Sequence, residues 1–320
     1  MQIALRSARV AVTGGNGFLG AHLLRRLLSL GTQCCVFMRE GDSARRLNGL
    51  SPQPEIRCFA QPASLAEVVA EWEPDIVFHL GAMISHQRTL GAFRTTLEWN
   101  LWSTLLLYEA LCKTTLSRVV QIGSCEEYGR QSVPFQEAAA LDPASPYSAS
   151  KAAASCYARM FHNCFGLPVV VLRPSVIYGP EQDTVMLIPE VISRLLQDCA
   201  VEVTEGKQTR DFLYVDDAVD ALVQAAVIPS APGEVLNIGS GEVVTVRRCV
   251  ELMGELTGKP HLIRYGARPY SPYEIWDYAP DISRARQRLG WQPRTSLVQG
   301  LANTIKAFRA TNPPGTLVSP

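Results

Sequence analysis

Tyr147 and Lys151 stand four residues apart in Pro146-Tyr147-Ser148-Ala149-Ser150-Lys151. On a helix that spacing puts both side chains on one face. A cation beside a phenol lowers its pKa, so a phenolate base or a phenol acid becomes available near neutral pH. Ser124 lies upstream, just past the apolar run Val119–Gly123. If that run is a strand, the Ser124 hydroxyl sits at its carboxyl end and can bond an alcohol oxygen that is being oxidised.

A hydride acceptor has to be held beside such a group. Thr13-Gly14-Gly15-Asn16-Gly17-Phe18-Leu19-Gly20 joins a short apolar run to a helical pattern. Gly14, Gly17 and Gly20 permit a tight turn and let backbone N–H groups approach a pyrophosphate, with a helix N-terminus facing the anion. The second strand of such a unit normally ends in an acid that accepts from the adenosine ribose. Here it ends Phe37-Met38-Arg39. Met38 offers no such acceptor, whereas the Arg39 guanidinium matches a ribose phosphate. The cofactor expected is NADP or NAD, with Arg39 favouring NADP.

The elements that must position these groups alternate. Arg9–Thr13, Cys34–Met38, Asp75–Leu80, Arg118–Gly123 and Pro168–Arg173 read as strands. Phe18–Leu30, Ser64–Trp72, Phe93–Leu111 and Pro146–Phe165 read as helices. The strands are continuously apolar, as when helices cover both faces. The expected fold class is α/β, a doubly wound parallel sheet of the Rossmann type with a smaller C-terminal substrate-binding lobe. The dinucleotide-binding part spans 1–180, with 209–240 returning to it. The lobe takes 181–208 and 241–312, with helices over Ile188–Asp198 and Val246–Thr257. In the returning and later segments, Asp216–Val227 and Ser283–Leu289 read as helices and Glu234–Ile238 as a strand. A loose tail covers 313–320.

Composition narrows the classes. The chain has 320 residues, 47% hydrophobic and 19% charged, with 30 Lys+Arg balancing 30 Asp+Glu. Zero net charge gives no global attraction to nucleic acid or anionic lipid. No apolar run reaches about 18 residues, the length of a membrane span, and Arg6 and Arg9 precede a strand and a glycine turn rather than a signal-peptide core. Nine cysteines without metal-like spacing, several in apolar runs (Cys34, Cys35, Cys58, Cys112), read as reduced, buried thiols of a cytoplasmic protein. No metal site is expected.

The sequence resembles the extended short-chain dehydrogenase/reductases, specifically the nucleotide-sugar epimerase/dehydratase group. The matching pieces are TGGNGFLG (13–20), VFHLGA (77–82), Asn100, GSCEEYG (123–129), PYSASK (146–151), RPSVIYGP (173–180) and GKQTRDFLYVDDAVDAL (206–222). The resemblance implies a Rossmann fold, bound NAD(P), a Ser124–Tyr147–Lys151 triad, and cofactor contacts from Phe18, Leu19, Leu80, Gly81, Ala82 and Asn100. It implies a nucleotide-diphosphate sugar as substrate, its diphosphate clamped by Arg210 and Arg268. The alternative for Arg210 is a structural ion pair with Asp211 or Asp216. Related enzymes often carry Asn where Val176 stands, so one diphosphate contact differs. A homodimer through Phe93–Leu111 and Ala149–Phe165 is also implied, with Leu101, Leu105 and Tyr108 facing either the partner or the sheet.

The reaction hangs on the residues after Ser124. Related 4,6-dehydratases place an acidic pair there; this chain has Cys125 and Glu126. A carboxylate at Glu126 removes a proton next to a 4-keto group, and the Cys125 thiol or a carboxyl protonates the departing hydroxyl. Glu127 reads as structural. Dehydration is therefore the first expectation, with a 4-epimerase or an NADPH-dependent 4-keto-sugar reductase as alternatives. A non-catalytic NADP-sensing regulator of the same fold typically lacks the Tyr or the Lys, and both are here. His79 reads as a satisfied histidine near the cofactor and His86 as a surface residue. The loop with Tyr270, Tyr273, Trp276 and Tyr278 serves either base stacking or lobe packing.

Overall fold

The computed structural model describes residues 5–85 and 87–311. His86 and the tail from 312 lie outside the described residues. In chain order the strands and helices are β1 (Arg9–Thr13), α1 (Phe18–Ser29), β2 (Gln33–Arg39), β3 (Glu55–Phe59), α2 (Pro62–Glu71), β4 (Ile76–His79), α3 (Leu90–Thr96), α4 (Ser103–Leu111), β5 (Arg118–Ile122), α5 (Pro146–Phe165), β6 (Val169–Pro174) and β7 (Val176–Tyr178). They continue as α6 (Leu187–Leu196), β8 (Val201–Val203), β9 (Thr209–Tyr214), α7 (Val215–Val227), β10 (Val235–Ile238), β11 (Val243–Thr245), α8 (Val246–Thr257), β12 (Ile263–Tyr265), α9 (Ser283–Leu289) and α10 (Leu297–Thr311).

Seven strands form one parallel sheet in the order β10-β6-β5-β4-β1-β2-β3. This is the doubly wound α/β arrangement. Strands β4, β5 and β6 are buried at every position, because helices cover both faces. On one face Leu23, Leu24 and Leu27 of α1 pack with Ala218, Leu222 and Ala225 of α7. On the other, Leu65 and Val69 of α2 pack with Leu107 and Leu111 of α4 and Ala158 of α5. Each fully buried Leu contributes roughly 1.5–3 kcal/mol of transfer free energy. The strand order reverses between β1 and β4, so the loops after these strands splay apart and leave a crevice at the carboxyl edge.

β3 was not anticipated. It is the sheet's edge strand, and its Glu55, Ile56 and Cys58 are exposed, so its sequence lacks the apolar run of the central strands. The same edge position explains why Cys58 is exposed, and Cys112 past the end of α4 is exposed too, as are Cys156, Cys164 and Cys199; the expectation of burial fails at these five. Tyr108 is buried among Leu107, Leu111 and Val119 and so faces the sheet. Phe93 and Leu97 are exposed, as is Trp102.

Between α3 and α4 the helix widens into a π turn over Leu97–Trp102. Asn100 sits in this turn. Its side-chain oxygen accepts from Met83 N (2.7 Å), and its amide donates to Met83 O (3.1 Å) and Ser150 Oγ (3.0 Å). One side chain thereby ties the loop after β4 to α5.

The lobe is organised on two small sheets, β11-β9-β7 and β12-β8. β9 pairs with β11 on one side and β7 on the other, so β7 and β9 stand apart from the central sheet; the chain rejoins that sheet through α7 and β10. α10 was also missed, although Leu297, Leu301, Ile305 and Phe308 recur at helical spacing and pack on α6 and α8. No helix among the described residues is long and apolar enough to cross a membrane.

Candidate active site

A cavity of about 1010 Å³ opens along the carboxyl edge of the sheet. Its floor is the turn after β1. Gly14 has φ +67°, and a methyl there would come within 2.7 Å of Gly81 N and Cα. The turns after β1 and β4 can touch because Gly14 carries no side chain at this contact. Gly17 caps α1 with no side-chain acceptor, so first-turn N–H groups remain for a ligand. Gly14, Gly17, Phe18, Leu19, Gly20, Arg39, Leu80, Gly81 and Ala82 line the cavity. Asn100 is not a wall residue and acts through Met83.

A chain of hydrogen bonds fixes this floor. The Thr104 hydroxyl donates to Asn100 O (2.6 Å) and so accepts from His79 Nε2 (2.8 Å). His79 Nδ1 then accepts from the Thr13 hydroxyl (2.8 Å), and Gly81 N–H donates to Thr13 Oγ1 (3.2 Å). Burial, reinforced by the Lys151 charge, drives the imidazole pKa down to about 3, so His79 is a neutral brace.

Arg39 ends β2 and points its guanidinium at Asp42 (3.1 and 2.8 Å) while lying 5.2 Å over the Trp99 ring. Asp42, Ser43 and Arg46 line the same end of the cavity. The bare glycine turn, the open helix terminus and these polar groups fit a dinucleotide.

Ser124, Glu126, Tyr147 and Lys151 line the other part of the cavity. Ser145 caps α5 by accepting from Ser148 N (3.0 Å), and Pro146 occupies the first turn, which sets the rotation of Tyr147 and Lys151. The Lys151 ammonium donates to Ile122 O (2.8 Å) at the end of β5. Burial lowers its pKa to about 8, opposed by the negative charge of Glu127. The Tyr147 phenol is pushed well above its ordinary range by desolvation and by Glu126 and Glu127, while its hydrogen bond with Ser124 pulls it down. The expected lysine-lowered phenol is thus not what the protein groups alone produce: Lys151 is committed to Ile122, and two carboxylates stand close by.

Cys125 leaves the site altogether. Its side chain is 0% exposed, packs with Tyr128, Phe135 and Tyr278, and donates to Arg173 O at 3.2 Å. Burial holds the thiol far above the ordinary thiol range. It neither lines the cavity nor ionises, so the expected role as proton donor is withdrawn.

On the side of the later segments, Arg210 lines the main cavity and, with Val176 and Arg268, a smaller annex of about 260 Å³. The ion pair of Arg210 is with Glu274, on the loop that closes over it. Asp211 instead accepts from Ser175 Oγ, Ser240 N and Gly241 N, and Asp216 lies 3.5 Å from His22. Arg268 pairs with Glu190 (2.7 Å) and reaches only the annex. Tyr278, which the sequence left between base stacking and lobe packing, is brought into the cavity beside Tyr147, where it bonds Ser124. Its position follows from Asp211 N donating to Tyr278 O (3.0 Å) and Thr209 N to Trp276 O (2.7 Å), long-range pairings with no local sequence signal.

Residues 10–239 match the profile of the NAD dependent epimerase/dehydratase family. The chain belongs to the NAD dependent epimerase/dehydratase family. Over 318 residues it is 31% identical to a UDP-glucose 4-epimerase of Mycolicibacterium smegmatis, covering 94% of this chain and 98% of that protein. It is equally 31% identical over 319 residues to a dTDP-glucose 4,6-dehydratase of Streptomyces niveus, covering 94% and 93%. The solved dTDP-glucose 4,6-dehydratase of Streptomyces venezuelae, with NAD and TYD bound, superposes with a TM-score of 0.85 at 27% identity, covering 94% of this chain and 97% of that one. This epimerase/dehydratase is therefore an extended short-chain dehydrogenase/reductase of the nucleotide-sugar group, with relatives in two reaction types.

The position of Cys125 in this family member gives a direct test. Cys125→Ala should leave turnover of a nucleotide-sugar substrate near the wild-type level and cost about 1 kcal/mol of stability for one buried hydrogen bond. A loss of activity by orders of magnitude, with the protein folded, would return the thiol to the chemistry.

Proposed function

We propose that this family member oxidises a nucleotide-diphosphate sugar to a transient 4-keto intermediate and then eliminates water from it, the 4,6-dehydratase reaction. The carrying observation is that Glu126 lines the cavity beside Ser124, Tyr147 and Lys151. NAD(P), when bound, would supply the hydride acceptor for the oxidation and the hydride for the closing reduction. The positive charge of an oxidised nicotinamide would favour the Tyr147 phenolate, which the protein groups alone do not, and Tyr147 then takes the hydroxyl proton; Ser124 orients the oxygen, and Lys151 holds positive charge at the end of β5. With the thiol removed, Glu126 carries both later proton transfers. Its carboxylate takes the proton next to the ketone, and its carboxyl delivers that proton to the departing hydroxyl, which leaves as water. The proton held by Tyr147 goes back to the carbon next to the ketone as the hydride returns, so the net change is loss of one water. Arg210 is the diphosphate contact shared by cavity and annex, assisted by Arg268.

The withdrawal of Cys125 favours a second reading, a 4-epimerase, which needs the triad but no acid pair. Replacement of Glu126 by Gln separates the two. Under the dehydratase reading, Glu126→Gln still oxidises the sugar but forms no dehydrated product, with elimination slowed about 10²–10⁴-fold. Unimpaired turnover of the variant would leave epimerisation as the better account.

Arg39, with Ser43 and Arg46 on the same wall, supports NADP over NAD. Competitive binding of NADPH and NADH to the purified chain measures this. Tighter NADPH binding that Arg39→Ala abolishes is expected, and tighter NADH binding would reverse the assignment.

A further inference from the structure

The turn after Ser124 holds a second carboxylate that the reaction above does not use. Glu127 is 0% exposed. Its Oε1 accepts from Ser124 N (2.9 Å) and from Ser155 Oγ (3.0 Å), and its Oε2 accepts from Arg173 Nε (2.7 Å). Ser155 lies one turn beyond Lys151, so Tyr147, Lys151 and Ser155 form one stripe along α5. Glu127 thus grips at once the backbone that carries Ser124 and the helix face that carries Tyr147 and Lys151. Gly123 makes room for this grip, since a methyl there would come 2.6 Å from Glu127 Oε1.

We propose that Glu127 is a positioning residue: it locks the strand end bearing Ser124 to the helix face bearing Tyr147 and Lys151, and so fixes a carboxylate charge beside them in a dry site. The titratable and charged groups around it are few. Cys125, Glu126 and Tyr128 come from its own turn, Tyr147 and Lys151 from α5, and Arg173 from β6. Arg173 is directed to Glu127 and Tyr128, donating to the Tyr128 hydroxyl (2.9 Å), which in turn donates to Asn237 Oδ1 (2.7 Å). Glu127 is the opposite charge that raises the Lys151 pKa against burial. It also raises that of Tyr147. Removing the negative charge therefore makes both neighbours easier to deprotonate, and both midpoints move toward acid.

A purely structural ion pair with Arg173 makes a different prediction, in which Lys151 titrates as before. The test follows the Lys151 signal in the full chain carrying side-chain-labelled lysine, assigned by Lys151→Arg, as a function of pH. The wild-type midpoint is expected near 8. In Glu127→Gln it should fall by roughly one pH unit, the size of a close charge effect. Should that variant fail to fold with Arg173 left unpaired, the double variant Glu127→Gln/Arg173→Met leaves no lone buried charge and should show a smaller fall in the same direction, because the lost guanidinium partly offsets the lost carboxylate. An unchanged Lys151 midpoint in the folded variant overturns the proposal. The signal requires no substrate, so its outcome is independent of which sugar reaction follows.

Discussion

The site depends on holding charge at the carboxyl end of β5 with little water to solvate it. Lys151 is bonded to the Ile122 carbonyl, and Glu127 and Arg173 form a fully buried pair beside it. Burying ions costs several kcal/mol each unless opposite charge and hydrogen bonds compensate. Here every carboxylate oxygen of Glu127 and the Nε of Arg173 is used. The consequence is geometric. A strand end, a helix and a tight turn that are far apart in sequence are pinned to one another by directional bonds, and the reactive groups inherit that rigidity.

The rest of the molecule serves this edge. The doubly wound sheet brings the glycine turn after β1 and the loop after β4 together where the strand order reverses. Neutral His79 ties the end of β1 to α4, and Asn100 ties the loop after β4 to α5, without adding charge. The lobe adds arginines and the Tyr270–Tyr278 loop on the opposite side of the crevice. In this structure Arg210 and Arg268 are matched by Glu274 and Glu190.

What the sequence revealed was what local spacing encodes. Tyr147 and Lys151 share a face because a helix repeats every 3.6 residues, and the glycine turn sits between an apolar strand and a helix. The resemblance pointed to Glu126 as a site carboxylate, and Glu127 read as structural, but the fate of Cys125 was not legible, and local spacing alone fixes none of the three. They lie in a 3₁₀ turn, where three residues make a full rotation, so three neighbours face three directions. Only the surrounding fold decides that Cys125 enters an aromatic cluster, Glu126 the cavity and Glu127 the ion pair. Tyr278 and the Arg210–Glu274 pair depend on pairings across some sixty residues of chain, and β3 was hidden by the polar residues of an edge strand. α10 was different: its apolar spacing was present in the sequence and was overlooked.

The central claim is that the phenol of Tyr147 takes the proton as the sugar carbon is oxidised. The most direct measurement is the single-turnover change in nicotinamide absorbance when a panel of nucleotide-diphosphate sugars is mixed with cofactor-loaded wild type and Tyr147→Phe. Loss of one general base lowers such a step by about 10²–10⁴-fold, and a drop of that size, with cofactor binding intact, is expected. An oxidation rate in Tyr147→Phe equal to that of the wild type would contradict the account.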